Sequence, residues 1–447
     1  MEDTVQNAET REFRLIVCDP LSLQILTLAI DRGIRLPREF IPAYARTAAM
    51  LTDVLAQRFG LDTIHLATML PEDGRSHCAV FEVIGGLKAA GRRLSFQSVE
   101  DLSSEEISDH ERALFWKITR GDAKELGRFA RLGWINELFA KLGYRFDRPS
   151  VRQFNQGVNF CLLSFTDARG ATKWFKAVGE PNIREYGLTK EFASRFPLYL
   201  PSIEVFIPEW NGWVSKGVEG TPLNDSQDLQ SCEQALLALA TMQKEMTGDT
   251  AVLYALGAKD WTSVRILSLL EQFFIDAETA MKAQTSTLSK PLTYEELIKL
   301  HADIESALID FTNLGIPDTL LHGDIGHGNV IASPDGPVFL DWAETYVGHP
   351  FLSAEHLLAD LSRSNRTFSQ NQAILRLGYS EHWKAYTTPR ELERSVAMAP
   401  AIAAFFYGVL CWNANRDRPD PTRAWPLLRS MLRRSKYELE TVSGVAA

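Results

Sequence analysis

The sequence has no excess of positive charge and no closely paired cysteines. Its 447 residues include 47 Lys and Arg against 57 Asp and Glu, which gives a formal net charge of −10. Nucleic-acid binding depends on Lys and Arg that neutralise phosphates, so this balance excludes broad nucleic-acid binding. The five cysteines form no CxxC pair. They therefore predict free thiols in a reducing compartment and exclude a disulfide framework or a zinc site.

Long hydrophobic runs are also missing. The longest run of mostly apolar residues, 396–412, contains Pro400 and falls short of the roughly 20 residues that span a membrane. The first residues, MEDTVQNAETREF, are polar and acidic and lack the apolar segment of a signal peptide. We therefore expect a cytoplasmic protein without membrane contact. No internal repeat or low-complexity segment is present.

Hydrophobic patterns divide the chain into three predicted parts with an α+β composition. Residues 1–145 mix strand and helix patterns and predict a separate small α/β domain, with a helix that ends at Gly60 and with Ser98 and Ser103 as N-caps. Residues 146–222 contain a glycine-containing loop, a hairpin made of FCLLSF and KWFKAV, a helix and further strands. Residues 223–447 are mainly helical. The first helices predicted there cover 229–247, 263–283 and 294–314.

The segment LLHGDIGHGN, residues 320–329, carries the strongest functional signal. Its glycines allow a tight loop that presents Asp324 and Asn329 on one side. Two short strands, NVIA and VFLDW, joined by the turn SPDGP, return Asp341 to the side of Asn329. The oxygens of Asn329 and Asp341 suit Mg²⁺, and Asp324 suits a general base or a group that positions a hydroxyl. A metal and a base are the minimum requirement for phosphoryl transfer from a nucleotide.

The spacing HGDxxxxN followed by DW resembles the aminoglycoside phosphotransferase and choline kinase group, which are relatives of the protein kinases. The resemblance covers the chain from Phe154 to the C-terminus. It implies a bilobal protein-kinase-like phosphotransferase fold that binds ATP and Mg²⁺ between an N-lobe and a helical C-lobe. It also implies that His322 orients the loop. His327 is either part of the solvent-exposed loop or a substrate contact.

The same resemblance assigns the nucleotide-binding residues. Lys176 in KWFKAV is the expected phosphate-binding lysine, and Glu185 on the next helix is its expected partner, with Glu191 as the alternative. The loop NQGVNF, with Gly157, is expected to cover the phosphates. The segment WVSKGVEG is expected to be the hinge, where the backbone from Lys216 to Val218 binds the adenine edge.

One departure from the family pattern leaves the acceptor open. Members commonly continue DW with G-D-P-x-x-D-L, whereas this chain has VGHPFLSAEHLL, with His349 at the first aspartate and Glu355 near the second. Glu344 is a candidate for the missing carboxylate. An aminoglycoside would favour an acidic site, and a choline-like acceptor would favour an aromatic one. The candidates are Glu271, Asp276 and Glu278 for the first and Trp383, Tyr407 and Trp412 for the second.

Residues 1–145 loosely resemble a Nudix domain. The Nudix helix needs glutamates that bind Mg²⁺, but DVLAQRFGL offers Asp53, Gln57 and Arg58 instead, so this domain is expected to be non-catalytic. The expected function is therefore that of an ATP- and Mg²⁺-dependent phosphotransferase acting on a hydroxyl of a small molecule. A nucleotide-binding pseudokinase with a regulatory role is the alternative. A protein substrate is disfavoured because no long activation loop separates Asp341 from Pro350. Oligomeric state is left open.

Overall fold

The chain divides into two compact units. The computed structural model describes residues 10–31, 33–70, 76–85, 94–144, 150–226, 228–326, 328–364 and 366–445. The first unit comprises Met1–Tyr186 and Ser202–Gly217, and the second comprises Gly187–Pro201 and Val218–Ala447. The first unit thus holds both the N-terminal region and the predicted nucleotide-binding strands. The boundaries after residues 145 and 222 stay predictions.

A seven-stranded sheet dominates the N-terminal region. The elements are β1 Thr10–Cys18, β2 Ile25–Ile30, β3 Gly33–Arg35, β4 Arg38–Pro42, α1 Thr47–Phe59, β5 Thr63–Met69, β6 His77–Val83, β7 Leu94–Gln97, α2 Asp109–Arg120 and α3 Trp134–Lys141. The sheet has the order β3-β2-β1-β6-β5, with β4 paired to β1 and β7 paired to β2. Strands β1 and β6 are parallel, and the other pairs are antiparallel.

Local capping signals set the ends of the helices in this region. The predicted end of α1 is confirmed, because Gly60 adopts φ +66° and its amide donates to the Ala56 carbonyl. The long helix α2 begins later than the predicted N-caps, because Ser108 forms its capping box with Glu111. Ser98 caps only a short 3-10 turn, and Ser103 precedes a turn in which its carbonyl accepts from the Glu106 amide.

A five-stranded antiparallel sheet forms the rest of the first unit. Its order is β11-β12-β10-β9-β8. The elements are β8 Val151–Asn155, β9 Phe160–Thr166, β10 Thr172–Val178, α4 Arg184–Arg195, β11 Ile203–Ile207 and β12 Gly212–Lys216. The predicted hairpin of β9 and β10 is confirmed, with Phe175 paired to Leu163. Strand β8, which the sequence analysis did not predict, pairs with β9.

The N-terminal region shares one hydrophobic core with this sheet. Strands β9 and β10 bury every second residue, so that Leu163, Phe165 and Phe175 lie on one face. These side chains belong to the same buried cluster as Trp134 and Phe139 of α3. At roughly 25 cal/mol per Å² of apolar surface, burial of such aromatic side chains is a main source of stability. The two parts therefore fold as one packed body.

Glu82 is a buried carboxylate in β6. It is 1% exposed. Its Oε2 accepts from the Gly133 amide at 2.8 Å, and its Oε1 has no hydrogen-bond partner within the described ranges. Burial raises the pKa of Glu82 from 4.5 to about 7, against the opposing effects of the Gly133 amide and Arg131. Between pH 4.5 and about pH 7, the Glu82 carboxyl is therefore protonated in the folded chain and ionised in the unfolded chain.

Stability should therefore fall as the pH rises from about 4.5 to about 7. Glu82→Gln keeps an acceptor for Gly133 and removes the charge, so it should raise the free energy of unfolding at pH 8 by on the order of 3 kcal/mol. Urea unfolding at pH 5 and pH 8 measures this change. Glu105→Gln, at an exposed position, is the control. An identical pH dependence of Glu82→Gln and the wild type would contradict the prediction.

The second unit is mainly helical. Its elements after α4 are β13 Thr221–Pro222, α5 Leu229–Met246, α6 Thr250–Ala255, β14 Lys259–Asp260, α7 Ser263–Leu267, α8 Leu270–Lys282, α9 Tyr294–Asn313, β15 Thr319–His322, β16 Val330–Ser333, β17 Gly336–Phe339, β18 Thr345–Gly348, α10 Phe351–Ser364, α11 Arg366–Ser380, α12 Pro389–Asn415 and α13 Trp425–Val445. Two three-stranded sheets, β13-β16-β17 and β14-β18-β15, lie among the helices.

The helix prediction for 263–283 needs a correction, because two helices, α7 and α8, occupy it. Helices α5 and α9 match their predictions closely. Helix α12 is the one helix in the described residues that is long and apolar enough to cross a membrane, and 67% of its most apolar window is buried inside the protein. All five cysteines are free thiols, as predicted.

Candidate active site

A buried histidine holds the start of the HGD loop. His322 ends β15 and is fully buried. Its Nδ1 accepts from the Asp324 amide at 3.3 Å, so the ring proton lies on Nε2, which donates to the Leu340 carbonyl at 2.8 Å. The backbone amide of His322 donates to Ser353 Oγ at 3.0 Å. With both ring nitrogens in use, the arrangement is that of a loop-orienting residue.

Asn329 and Asp324 lie in direct contact. The Asn329 amide group donates from Nδ2 to the Asp324 carbonyl at 2.8 Å and to Asp324 Oδ2 at 3.1 Å. These bonds fix the orientation of the Asn329 amide and leave its Oδ1 as the atom with ligand character. Asp324 is exposed. It is therefore placed where a small molecule can reach it.

The hairpin of β16 and β17 returns Asp341 toward this loop, as predicted. Val330 pairs with Phe339, and the Leu340 amide donates to the Asn329 carbonyl at 2.8 Å. Asp341 follows with φ 60° and ψ 70°, a left-handed conformation that few residues other than glycine, Asn and Asp adopt. Asp341 thus lies between the end of β17 at Phe339 and the short 3-10 turn that begins at Trp342.

The oxygen set of Asn329 and Asp341 fits Mg²⁺. Mg²⁺ is commonly bound by one or two carboxylates together with substrate phosphates and water, whereas Zn²⁺ and Ca²⁺ require larger protein ligand sets. Among the described residues, no group of three His, Cys, Asp or Glu side chains could hold a metal ion.

Lys176 of β10 forms an ion pair with Glu185 of α4. Lys176 Nζ lies 2.6 Å from Glu185 Oε1, and both side chains are largely buried. The ammonium group also lies 5.7 Å from the centre of the Phe160 ring. Glu191, the alternative partner, instead pairs with Arg195 at 2.6 Å. Lys176 is thus held in one orientation by a carboxylate and an aromatic ring.

The predicted phosphate loop and hinge differ in how much the structure constrains them. A Cβ added to Gly157 would meet no atom within 4 Å, so packing does not require glycine there. In the hinge, the Lys216 amide donates to the Ser202 carbonyl and the Gly217 amide donates to the Thr172 carbonyl. The Lys216 and Gly217 amides are therefore already engaged by the protein's own backbone.

The departures from the family pattern have structural roles. His349 is stacked on Phe311 with ring centres 3.8 Å apart, and burial lowers the pKa of His349 to about 3. Glu355 is buried and paired with Arg376. The Glu344 carbonyl accepts from the Gly323 amide at 2.6 Å. His327 lies outside the described residues.

Sequence reasoning missed Asp360 of α10. A Cβ on Gly326 would lie 2.8 Å from Asp360 Oδ2, so this buried carboxylate touches the backbone of the HGD loop. Its helix carries no motif that marks this position, and only the glycine at 326 could have hinted at close packing.

The three aromatic residues proposed to contact a choline-like acceptor differ in what their side chains contact. Trp383 is fully buried, and Trp412 Nε1 donates to Asp276 at 2.7 Å, so these side chains stabilise the helical core. Tyr407 is different, because burial raises the pKa of its hydroxyl and the charge of Asp324 adds to this effect. Its hydroxyl has no hydrogen-bond partner within the described ranges. Tyr407 is therefore the aromatic candidate whose hydroxyl pKa is raised by the charge of Asp324 in addition to burial.

Comparisons with known proteins agree with the motif. Residues 213–392 match the family model APH, described as "Phosphotransferase enzyme family", and no curated protein matches the chain. None of the comparisons supports the Nudix resemblance of the N-terminal region. The predicted α+β, protein-kinase-like fold class is confirmed.

Several solved structures are similar to the chain at low identity. The macrolide 2′-phosphotransferase MphH from Brachybacterium faecium is 15% identical, with 66% of this chain and 98% of that chain covered and a TM-score of 0.43. The choline kinase LicA from Streptococcus pneumoniae is 13% identical, with 69% and 98% covered and a TM-score of 0.41. A Plasmodium vivax ethanolamine kinase is 12% identical, with 74% and 91% covered and a TM-score of 0.44. Between residues 213 and 392, the chain carries a domain that matches the phosphotransferase enzyme family.

Proposed function

We propose that the protein is an ATP- and Mg²⁺-dependent phosphotransferase that phosphorylates a hydroxyl group of a small molecule in the cytoplasm. The observation that carries this proposal is the contact of Asn329 with Asp324 at the end of a hairpin that also presents Asp341. The match of residues 213–392 to a phosphotransferase family supports it.

Each candidate residue has a chemical role in this proposal. Asn329 Oδ1 and the Asp341 carboxylate would hold Mg²⁺, which when bound neutralises phosphate charge. Asp324 accepts a hydrogen bond from the acceptor hydroxyl and orients it, or removes its proton. His322 keeps the loop in place through its two ring hydrogen bonds. Lys176, held by Glu185, neutralises the phosphates of the nucleotide.

The acceptor proposed here is a small hydroxyl compound of the aminoglycoside, choline or sugar type. Asp324 is exposed and lies in a short glycine-containing loop, a geometry that does not demand a long peptide substrate. We include the hydroxyl of Tyr407 as a hydrogen-bonding group for this acceptor, because burial and the charge of Asp324 both raise its pKa.

Metal dependence of ATP binding tests the proposal. Losing a group that supports a bound metal commonly costs about 10- to 100-fold in affinity. Asp341→Asn should therefore weaken ATP binding in Mg²⁺ by that range and leave ATP binding in EDTA unchanged. Asparagine tolerates the left-handed conformation at 341, so the fold should persist.

Isothermal titration calorimetry with ATP in Mg²⁺ and in EDTA measures the four affinities. For the wild type, equal affinities in Mg²⁺ and EDTA would contradict the metal assignment. An equal loss of affinity for Asp341→Asn in both buffers would show damage to the pocket instead of loss of a ligand.

A further inference from the structure

The loop between β8 and β9, residues 156–159, is fastened to the N-terminal region. We propose that the N-terminal region positions this loop through Gln156 and Gly127, and thereby sets the affinity of the protein for the phosphates of ATP. This inference rests on the proposed function, because it takes the loop to be the one that covers the phosphates. Gln156 and Gly127 are positioning residues and do not themselves contact the nucleotide in this account.

Two glutamine side chains join the five-stranded sheet to β5 of the N-terminal sheet. Gln153 in β8 is 2% exposed; its Oε1 accepts from the His65 amide at 2.7 Å and its Nε2 donates to the His65 carbonyl at 3.1 Å. Gln156, at the start of the loop, donates from Nε2 to the Leu66 carbonyl at 3.2 Å. The β5–β6 pairing has a register shift between His65 and Ala67, which interrupts the ladder at the point where the glutamines bind.

Backbone contacts hold the centre of the loop from two sides. A Cβ on Gly127 would lie 2.8 Å from the Gly157 carbonyl oxygen, and a Cβ on Gly179 would lie 2.2 Å from the Val158 carbonyl oxygen. The Gly179 amide also donates to the Asn159 carbonyl at 2.7 Å. Only glycine permits these approaches, because any side chain would displace the loop backbone.

The loop is held at discrete points and not by continuous packing. A cavity of about 490 Å³ lies beside it, lined among others by Gly127, Phe129, Gly157, Val158, Gly179 and Trp210. Because little packing supports the loop on the side of this cavity, its position depends strongly on each hydrogen bond and each close contact. The Oε1 of Gln156 is buried and has no hydrogen-bond partner among the residues described. Burying this oxygen without a partner lowers the stability of the folded protein.

Loop position controls phosphate affinity because backbone amides bind phosphates only over a narrow range of distances. A loop displaced by an ångström loses those bonds while the adenine and ribose contacts remain. The inference therefore predicts different effects on two ligands. A change at Gln156 should lower the affinity for ATP and leave the affinity for adenosine unchanged.

Gln156→Met and Gln153→Met form the first matched pair. Gln156→Met removes an unsatisfied acceptor, but it also leaves the Leu66 carbonyl without this donor, so a modest loss of stability is expected. Loss of the bond should weaken ATP binding about tenfold, with adenosine binding unchanged. Gln153→Met breaks two bonds in the strand and should lower the unfolding temperature more, with a smaller effect on the ratio of the two affinities. Hydrogen exchange of the amides at 157–159 without nucleotide should accelerate about tenfold in Gln156→Met only.

Gly127→Ala and Gly121→Ala form the second pair. Gly127 has φ +120° and meets the Gly157 carbonyl, whereas Gly121 has φ +74° and its added Cβ would meet no atom within 4 Å. Both changes strain the backbone, but only Gly127→Ala displaces the loop. Its ratio of ATP to adenosine affinity should fall below that of Gly121→Ala by about tenfold or more. If Gly127→Ala does not fold, the first pair decides alone.

The outcomes separate this inference from the proposed function. The inference is overturned if the wild type binds ATP and Gln156→Met has the same ATP affinity and the same hydrogen-exchange rate at 157–159 as the wild type. That result leaves the proposed function intact. Wild-type protein that binds no ATP contradicts both. Equal weakening of ATP and adenosine in Gln156→Met also overturns the inference, because a general loss of fold would produce it.

Discussion

Replacing Asp324 by asparagine is expected to lower phosphoryl transfer by roughly 10²- to 10⁴-fold, the usual contribution of a positioned general base. The change keeps the size of the side chain and one carbonyl oxygen, and the hydrogen bond that Asn329 Nδ2 donates to the Asp324 backbone carbonyl is unaffected. Affinity for MgATP should barely change, since Lys176, Asn329 and Asp341 remain. Initial rates of product formation, or of slow ATP hydrolysis by water, measure the effect.

Asp335→Asn is the matched control for this prediction. Asp335 lies in the exposed turn between β16 and β17, so the same chemical change occurs in the same hairpin without touching the loop. Its rate should equal that of the wild type. If Asp324→Asn and the wild type turn over ATP at one rate, Asp324 is not the base.

Replacing Lys176 by methionine is expected to weaken ATP much more than adenosine. Hydrogen bonds to charged groups contribute about 1.5–3 kcal/mol, so the affinity for ATP should fall roughly 10- to 100-fold. Adenosine lacks phosphates and should bind with nearly unchanged affinity. The variant should also unfold more easily, because Glu185 loses the partner that lies 2.6 Å away in a buried pair. Calorimetry with both ligands measures the ratio.

Lys173→Met controls for damage to the strand. Lys173 lies three residues earlier in β10, on the opposite face, and is buried in an ion pair with Glu204. Its loss should cost comparable stability without changing the ratio of ATP to adenosine affinity. If Lys176→Met weakens the binding of ATP and adenosine equally, the substitution disturbs the fold and the lysine does not contact phosphates.

Local patterns predicted the parts of the site that short stretches of chain encode. Alternating hydrophobicity on both sides of the SPDGP turn gave the β16–β17 hairpin and hence the return of Asp341. The hairpin of β9 and β10 set the face on which Lys176 lies. The contact of Lys176 with Glu185 matches the pairing that the family resemblance implied, with Glu191 as the alternative.

Features that depend on packing between distant segments were not predictable. Asp360 reaches Gly326 because α10 packs against the loop, and its sequence context resembles any amphipathic helix. The break between α7 and α8 interrupts a continuous helical pattern at Ser268 and Leu269. The close approach of Gly127 to Gly157 joins segments 30 positions apart, and a single glycine in a sequence does not indicate which segment packs against it.

The N-terminal region shows the same limit at a larger scale. Strands β1 and β6 and helix α1 were predicted from local patterns, but the Nudix resemblance drew on element order and finds no support in the comparisons. The structure connects this region to the rest of the first unit through a shared core and two glutamines. Its predicted role is accordingly structural support for the nucleotide loop.

The most direct measurement is transfer of the γ-phosphate from ATP in Mg²⁺ to a library of small hydroxyl compounds, with the wild type and Asp324→Asn side by side. The account predicts a phosphorylated product from at least one compound with the wild type, and a rate lower by roughly 10²- to 10⁴-fold with Asp324→Asn. If ATP binds but the wild type neither phosphorylates any compound nor hydrolyses ATP, the protein is a nucleotide-binding regulator and the proposed function is contradicted.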